Sequence, residues 1–138
     1  MKTLEVVAGV VYDNERIMVA KKPENHRVIP GKWEFPGGRI EDGESDEEAL
    51  KRELSQEMDG FEVNVEMYLG EYVHSYDGKT EIRLRAYLCT PRNEPNPLEH
   101  DRIEWPLVRD LVYYDLAVLD RKIADKLIKE EIENVEPD

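Results

Sequence analysis

The sequence has 138 residues, and its 32 acidic and 19 basic side chains give a formal net charge of −13. Because affinity for polymeric nucleic acids comes mainly from neutralising phosphates with Lys and Arg, this charge argues against a nucleic-acid polymer as partner. The single cysteine excludes an internal disulfide, no apolar run is long enough to span a bilayer, and no signal-peptide cleavage pattern follows the first apolar stretch, so we expect one soluble, cytoplasmic domain over residues 1–138.

Five segments are predicted before the paired glycines. The first is β-branched and nearly all apolar, which is typical of a strand buried on both faces. Turn-forming residues separate it from a second strand, and this pattern predicts that the two strands form a hairpin. The segments are a strand at residues 4–11, a turn at 13–15, a strand at 16–22, a loop at 23–32 and an extended piece at 33–35. A turn at Gly37 and Gly38 and a short acidic loop then lead to the helix.

The first helix is predicted to begin at Ser45. Glu48 follows three residues later and completes a capping-box pattern, in which each side chain bonds the backbone N–H of the other residue. Asp46 and Glu47 join Glu48 at the positive end of the helix dipole, so a structural role explains these acids and we do not expect them to be ligands. The predicted buried stripe of the helix consists of Leu50, Leu54 and Met58.

Strands and a terminal helix are predicted in the second half of the chain. Residues 61–76 alternate between apolar and polar with Gly70 as a bulge, and Asp77-Gly78 is a hairpin signal before the next alternating run. The later segments are a strand at 80–90, a proline-rich loop at 91–97, an edge strand at 103–105, a connection at 106–114, a helix at 116–133 and a frayed end at 134–138. Hairpins in place of regular βαβ units indicate an α+β fold, with a mixed β-sheet packed between helices.

Two carboxylates on the first helix point to metal chemistry. Glu53 and Glu57 lie one turn apart, and like charges at this spacing repel by about 0.2 to 0.5 kcal/mol. A divalent cation reverses that penalty, and Mg²⁺ is usually bound through one or two carboxylates together with substrate phosphates. The sequence therefore predicts a metal-phosphate site at this helix. We expect no zinc site, because the histidines show no pairing spacing and Cys89 stands alone.

The residues around this helix resemble the Nudix box, GX5EX7REUXEEXGU, in which U is an aliphatic residue. Gly38, Glu44, the REL run at residues 52–54 and Glu57 stand at the spacing of the box. The flanking WEFPGG and the surrounding strands are similar to the MutT type of nucleoside triphosphate pyrophosphohydrolase, so the resemblance covers nearly the whole chain. It implies a single Nudix hydrolase domain over residues 1–138 with an α/β/α sandwich.

Three positions depart from the Nudix box. Gln56 stands where the box has the first glutamate of its pair, while Asp59 and Gly60 suggest a one-residue shift of the glycine that ends the helix. A neutral amide can offer an oxygen to a cation but brings no charge, so Gln56 is expected to weaken the metal site. A catalytically weakened domain that acts as a nucleotide sensor or protein-binding module therefore stays open as an alternative.

The resemblance implies a Mg²⁺ site, with Mn²⁺ as a second possible cation. The implied ligands are Glu53, Gln56, Glu57 and the carbonyl oxygen of Gly37. Glu44 is implied to pair with Arg52 and hold the acidic loop against the helix. Glu99 matches a carboxylate on the late loop that reaches the metal or the attacking water, although a solvated loop residue explains it equally well. Glu53 is the competing candidate for the catalytic base.

Four residues are implied to contact the nucleotide, and each has a plain structural alternative. Lys22 and Arg39 match basic phosphate contacts, but either can be an ordinary surface charge. Phe35 matches a residue of the base pocket, but an aromatic residue there is as often part of the core. Asp120 matches the base-reading position, but it also suits the start of a helix. An ionised Asp only accepts hydrogen bonds, so it favours the amino group of cytosine or the N1-H and amino edge of an oxidised guanine.

The implied reaction is the attack of water on a phosphorus atom of a nucleoside triphosphate. It releases a nucleoside monophosphate and pyrophosphate. We expect a small-molecule substrate, either a modified or a pyrimidine triphosphate, and a protein that is a monomer or a homodimer.

Overall fold

The computed structural model describes residues 1–133, and the predicted frayed end at 134–138 lies outside the described residues. The strands are β1 (Lys2–Asp13), β2 (Arg16–Ile17), β3 (Val19–Lys21), β4 (Trp33–Glu34), β5 (Gly37–Arg39), β6 (Val63–His74), β7 (Thr80–Pro91) and β8 (Arg102–Glu104). The helices are α1 (Asp46–Glu57), a 3-10 helix (Val108–Tyr113) and α2 (Val118–Glu133). None of the helices in this part of the chain is long and apolar enough to cross a membrane.

The main sheet is mixed, as predicted. It has the strand order β2-β1-β7-β6, and β5 pairs with β1 beside this path. The pairing of β1 with β7 is parallel, whereas β2, β5 and β6 pair antiparallel with their neighbours. A parallel pair needs a crossover connection, which explains why α1 and β6 lie between β1 and β7 in the chain.

The predicted hairpin after β1 forms, but its second strand is divided between two sheets. Asn14 and Glu15 have φ angles of 51° and 68°, as a tight two-residue turn requires. Of the two pieces only β2 pairs with β1; the Met18 backbone N–H still donates to the Val11 carbonyl oxygen at 2.9 Å, and β3 then joins a separate sheet with the order β4-β3-β8. The prediction of one continuous strand over residues 16–22 was therefore wrong.

Two apolar cores lie on opposite faces of the main sheet. Strand β1 serves both, because Ala8 and Val10 pack on the α2 side while Val7 and Val11 pack on the α1 side. This alternation explains why the first strand is apolar on both faces. Cys89 is buried on the α1 side, as expected of a small core residue. The mixed sheet between α1 and α2 confirms the predicted sandwich.

The hairpin between β6 and β7 also follows the prediction. Pairing between the two strands shifts register twice, between Val65 and Met67 and between Tyr68 and Gly70. Gly70 has a φ of 123°, a value that favours glycine, so the bulge falls where the sequence placed it. The hairpin brings the segment around Tyr76 towards the start of α2, where it lines one of the cavities described below.

Candidate active site

Helix α1 begins with the predicted capping box. The Ser45 hydroxyl accepts a hydrogen bond from the Glu48 backbone N–H at 3.1 Å, and the Glu48 carboxylate accepts one from the Ser45 backbone N–H, also at 3.1 Å. These bonds satisfy backbone donors that the first helical turn leaves unpaired. The cap therefore defines where the helix starts and which of its faces meets the sheet.

Asp46 has a second role that the sequence does not reveal. Its carboxylate accepts two hydrogen bonds from the Arg85 guanidinium of β7, at 2.7 and 2.9 Å, and one from the Tyr87 hydroxyl. The Arg85 hydrogen bonds hold the pKa of Asp46 below its usual value, and burial opposes this effect. Asp46 thus attaches the start of α1 to the sheet. No local pattern in the sequence relates it to a strand nearly forty positions away.

The predicted pair of Glu44 and Arg52 is present. The guanidinium donates to both Glu44 oxygens, at 2.7 and 2.9 Å, and also to the Arg39 carbonyl oxygen at 2.9 Å. The Arg52 hydrogen bond lowers the pKa of Glu44, and the Glu44 hydrogen bond raises the pKa of Arg52. Arg52 also donates to Glu53 at 3.0 Å. The acidic loop, β5 and the carboxylate of Glu53 are therefore held by one side chain.

The paired glycines form a strand, so the predicted turn was wrong. Gly37 and Gly38 belong to β5 and pair with β1, and neither has a positive φ. Their small size is required for another reason. A Cβ on Gly37 would overlap the Val7 carbonyl oxygen, and a Cβ on Gly38 would overlap the carboxylate of Glu53. The absence of side chains lets β5 pass between β1 and the helix face that carries Glu53.

Glu57 is buried at the edge of the α1 core with only 5% of its surface exposed. Its Oε2 atom has no hydrogen-bond partner. Burial, with the charge of Glu34 as the next contributor, raises the pKa of Glu57 to about 9. A buried carboxylate without a partner is costly, so this side chain is one that a cation would stabilise.

A cleft of about 760 Å³ opens in front of these carboxylates. Its walls combine acidic side chains of α1 and its preceding loop with β5 and two residues near β3. Its lining includes Lys22, Gly37, Gly38, Arg39, Glu53 and Glu57. Among residues 1–133, no three His, Cys, Asp or Glu side chains form a preassembled metal cluster. Two carboxylates and a backbone carbonyl fit a Mg²⁺ that also takes substrate oxygens, and the unpartnered Glu57 oxygen supports this fit.

Gln56 is not brought into the cleft. Its side chain is exposed, and its amide oxygen accepts a hydrogen bond from Arg52 at 3.3 Å. The end of α1 differs from the predicted one-residue shift of the helix-ending glycine. Asp59 has a left-handed φ of 52°, and Gly60 has one of 80°. The helix-ending conformation therefore spans both positions, and the non-glycine residue adopts it as well.

A second cavity of about 340 Å³ adjoins the cleft. Phe35 and Asp120 both line it, although both are also buried. One oxygen of Asp120 accepts a hydrogen bond from the Phe35 backbone N–H at 2.7 Å, which holds the carboxyl at the cavity wall. Burial and the charge of Glu34 raise the pKa of Asp120. Most of the remaining wall is apolar, which suits a flat organic ring.

Lys22 and Arg39 line both the cleft and the second cavity. The Lys22 ammonium bonds one oxygen of Glu34 at 3.1 Å, and the same oxygen lies 2.8 Å from Nε2 of His100. Burial alone would lower the pKa of Lys22, but the charge and hydrogen bond of Glu34 raise it. The role of Glu34 was missed from the sequence. His100 was also not predicted to be part of the site, because the spacing of the histidines was used only to argue against a zinc site.

Glu99 lies on the exposed loop before β8 and is not among the residues that line the cleft. The loop is fixed next to the site because the Leu98 backbone N–H donates to the Glu57 carbonyl oxygen at 2.9 Å. The charge of Glu99 acts on both Glu57 and Lys22. Of the residues named from the sequence, five line the cleft, Phe35 and Asp120 line the adjoining cavity, Glu99 lies on the neighbouring loop, and Gln56 lies outside both cavities.

Comparisons with known proteins find similar chains. The family model described as the NUDIX domain matches residues 2–127. The chain is 32% identical over 121 residues to the CTP pyrophosphohydrolase of Escherichia coli strain K12, covering 87% of each protein. It is 37% identical over 91 residues to the 8-oxo-dGTP diphosphatase of Proteus vulgaris, covering 64% of this chain and 78% of the relative. The solution structure of the E. coli ORF135 protein matches with a TM-score of 0.85 and 27% identity, covering 99% of this chain and 96% of that chain.

Proposed function

Because the chain belongs to the NUDIX domain family and is a hydrolase of phosphorus-containing anhydrides, we propose that it is a Mg²⁺-dependent nucleoside triphosphate pyrophosphohydrolase. It releases a nucleoside monophosphate and pyrophosphate. The observation that carries this proposal is Glu57, a buried carboxylate with an unpartnered oxygen, which lines an acidic cleft next to Glu53. Mn²⁺ is the expected substitute for Mg²⁺.

The carboxylates of Glu53 and Glu57 and the Gly37 carbonyl oxygen would hold the cation. When bound, Mg²⁺ offsets charge on phosphate oxygens and lowers the pKa of water. Glu53 is pre-positioned for its task, because Arg52 donates to it at 3.0 Å and the side chain packs over Gly38. The binding site is therefore built from the helix, β5 and the hydrogen bonds between them.

The attacking water needs a group that accepts its proton. Glu53 lies in the cleft, and Glu99 lies on the loop at its rim with an exposed carboxylate. Either position can serve as the base if the carboxylate reaches the water in the substrate complex. Parallel Glu53→Gln and Glu99→Gln variants distinguish the two. A carboxylate that acts as catalytic base must be ionised, so kcat should rise with pH as it loses its proton. The catalytic base is the residue whose replacement abolishes this rise while substrate binding is retained.

The phosphates and the base are assigned to neighbouring parts of the site. Lys22 and Arg39 line both cavities and would contact phosphate oxygens where the two cavities meet. The base would enter the 340 Å³ cavity, with Phe35 and Asp120 at its wall. The Phe35 N–H holds one Asp120 oxygen in place, and the carboxyl would accept a hydrogen bond from the base with a remaining lone pair.

A base that presents an amino or ring N–H donor suits this carboxyl oxygen. Cytosine and oxidised guanine both present such donors, and the similarity to a CTP pyrophosphohydrolase and an 8-oxo-dGTP diphosphatase supports the same two choices. We therefore expect turnover of CTP, dCTP or 8-oxo-dGTP to exceed turnover of UTP or dTTP, because uracil and thymine have no amino group and their one ring N–H lies between two carbonyl oxygens that the carboxylate would repel. Asp120→Asn, which adds a donor at this position, should narrow that difference.

A second candidate function is a nucleotide sensor that keeps the fold but turns over little. The exposed Gln56 favours it, because a carboxylate there would add negative charge near the cation. Pyrophosphate release from a panel of nucleotides, measured with Mg²⁺ and with Mn²⁺, separates the candidates. Nucleotide binding without release on any member of the panel would favour the sensor.

The catalytic assignment is tested with Glu53→Gln. We expect kcat to fall by about a hundredfold or more, the usual scale for losing a positioned acid-base or ligand group. Glu47→Gln is the matched control, since Glu47 lies on the same helix, is mostly exposed and pairs only with Lys51 at 3.4 Å among the described residues. Full turnover in the Glu53 variant would refute the assignment.

A further inference from the structure

A buried histidine lies behind the junction of the two cavities. The His100 side chain is fully buried, and its Nε2 atom lies 2.8 Å from Oε2 of Glu34. The same oxygen receives the Lys22 ammonium at 3.1 Å. The three residues come from β4, the end of β3 and the loop before β8. One carboxylate oxygen thus joins a buried imidazole to the lysine that lines both cavities.

The hydrogen bonds define the direction of this contact. Nδ1 of His100 is buried and has no partner, so a proton there would be a buried donor left unpaired. Glu34 paired with an ammonium group is an acceptor, and the contact therefore requires N–H at Nε2. With two donors on Oε2, the carboxylate of Glu34 is held in one orientation.

The backbone holds the loop in place without help from the His100 side chain. The Leu98 N–H donates to the Glu57 carbonyl oxygen at 2.9 Å, and the Asp101 N–H donates to the Lys21 carbonyl oxygen at 2.9 Å. These bonds flank His100 on both sides. Because these two backbone bonds already attach the loop, the hydrogen bond of the imidazole to Glu34 is not needed to hold the loop in place.

We propose that His100 is a positioning residue that fixes Glu34 and, through it, holds the Lys22 ammonium at the junction where the triphosphate lies. A lysine side chain has many rotamers, so a fixed partner removes part of the entropy cost of placing its charge on a phosphate. The proposal rests on the proposed function only for the identity of the bound nucleotide. The contact itself concerns residues of this chain.

The test measures binding of an α,β-methylene analogue of CTP by calorimetry in the presence of MgCl2. His100→Leu removes the donor and should raise Kd about tenfold, whereas His100→Gln keeps an N–H near Nε2 and should stay within about twofold of the unsubstituted protein. Asp101→Asn, an exposed neighbour on the same loop, is the control and should bind as the unsubstituted protein does.

A second step asks whether the effect passes through Lys22. Lys22→Met should weaken binding by itself, and adding His100→Leu should then change Kd by less than about twofold, because the two residues act in series. A purely structural role would instead lower Tm, without rescue by glutamine and without dependence on Lys22. Equal effects of His100→Leu with and without Lys22 would overturn the proposal.

Nitrogen-15 spectra of the histidine rings give a readout that does not depend on binding or turnover. We expect His100 of the unsubstituted protein as the Nε2–H tautomer, and an Nδ1–H tautomer would overturn the proposal. If His100→Leu does not fold, the tautomer and the Kd of His100→Gln decide, and a tenfold weaker Kd for that variant would count against it. If the protein releases no pyrophosphate but the tautomer and the coupling are as expected, the proposed function fails and this inference stands.

Discussion

The buried Glu57 carboxyl should make the metal-free protein less stable as the pH rises. In the unfolded chain this group ionises near its ordinary pKa of 4.5, whereas in the folded protein its pKa is about 9. Below pH 4.5 it is protonated in both states and has no effect. Between the two values only the unfolded chain ionises, so each pH unit costs the folded state up to about 1.4 kcal/mol. Above pH 9 both states are ionised and the full cost remains.

Glu57→Gln removes this dependence, because an amide does not ionise. In EDTA, the free energy of unfolding of the variant relative to the unsubstituted protein should rise by about 3 kcal/mol between pH 5.0 and 7.5. Urea denaturation at the two pH values measures it, and taking the difference between the two proteins cancels contributions from the other acids. A difference that is independent of pH would mean that Glu57 ionises normally in the folded state.

The same denaturation experiment can be repeated with a divalent cation in place of EDTA. Mg²⁺ or Mn²⁺ should stabilise the unsubstituted protein at pH 7.5, since ligand binding to the folded state adds to stability. The Glu57→Gln variant should gain much less. If the two proteins gain equally, the cation binds elsewhere and the unpartnered oxygen of Glu57 is not its ligand.

Three further predictions concern the elements that hold the site. Gly38→Ala should leave the protein folded but lower kcat at least tenfold, since the new methyl group displaces the flexible Glu53 side chain; Gly37→Ala meets backbone instead and should fail to fold or lower Tm sharply in a thermal melt. Gln56→Glu should reduce the Mg²⁺ concentration for half-maximal activity by only about twofold, because the added charge lies outside the cleft and attracts the cation through water, and a reduction of about tenfold would show that this position reaches the metal. Asp46→Ala should cost about 1 to 2 kcal/mol in urea denaturation, because it removes two hydrogen bonds of the Arg85 guanidinium and the acceptor of the Tyr87 hydroxyl, although Glu5 still pairs with Arg85 at 2.9 Å; a loss below about 0.5 kcal/mol would contradict the role given to Asp46.

Local patterns in the sequence were sufficient to predict the helix and the first strand around the candidate site. The capping box at Ser45 and the four-residue apolar period placed α1 correctly, and the apolar run of β1 matched a strand that serves two cores. The same reasoning joined β2 and β3 into one strand. Both are β-type by local preference, and the break at Met18 arises because β3 pairs with strands much later in the chain.

The contact among Lys22, Glu34 and His100 behind the site was not predictable from local sequence. Lys22, Glu34 and His100 lie in three separate segments and share no periodicity, and each alone reads as an ordinary polar residue. Only the pairing of β3 with β4 and β8 brings the three segments together. Motif reasoning found the carboxylates of the helix because they are close in sequence. Motif reasoning could not find Lys22, Glu34 and His100 as neighbours of these carboxylates, because these residues are close only in the folded chain.

The two glycines of β5 and the carboxylates of α1 form one structural unit, because the glycines let the strand and the helix pack closely. Their backbone angles are open to other residues, so conformational freedom does not account for them. Gly37 gives β5 room against β1, and Gly38 gives the carboxylate of Glu53 room against β5, while Arg52 bonds both that carboxylate and the carbonyl oxygen of Arg39 in the same strand. A side chain on Gly37 would overlap the backbone of β1, and one on Gly38 would displace the Glu53 carboxylate that the guanidinium holds. The glycine pair and the REL run thus depend on each other sterically, which is a stronger constraint than the tight turn that the sequence pattern first indicates.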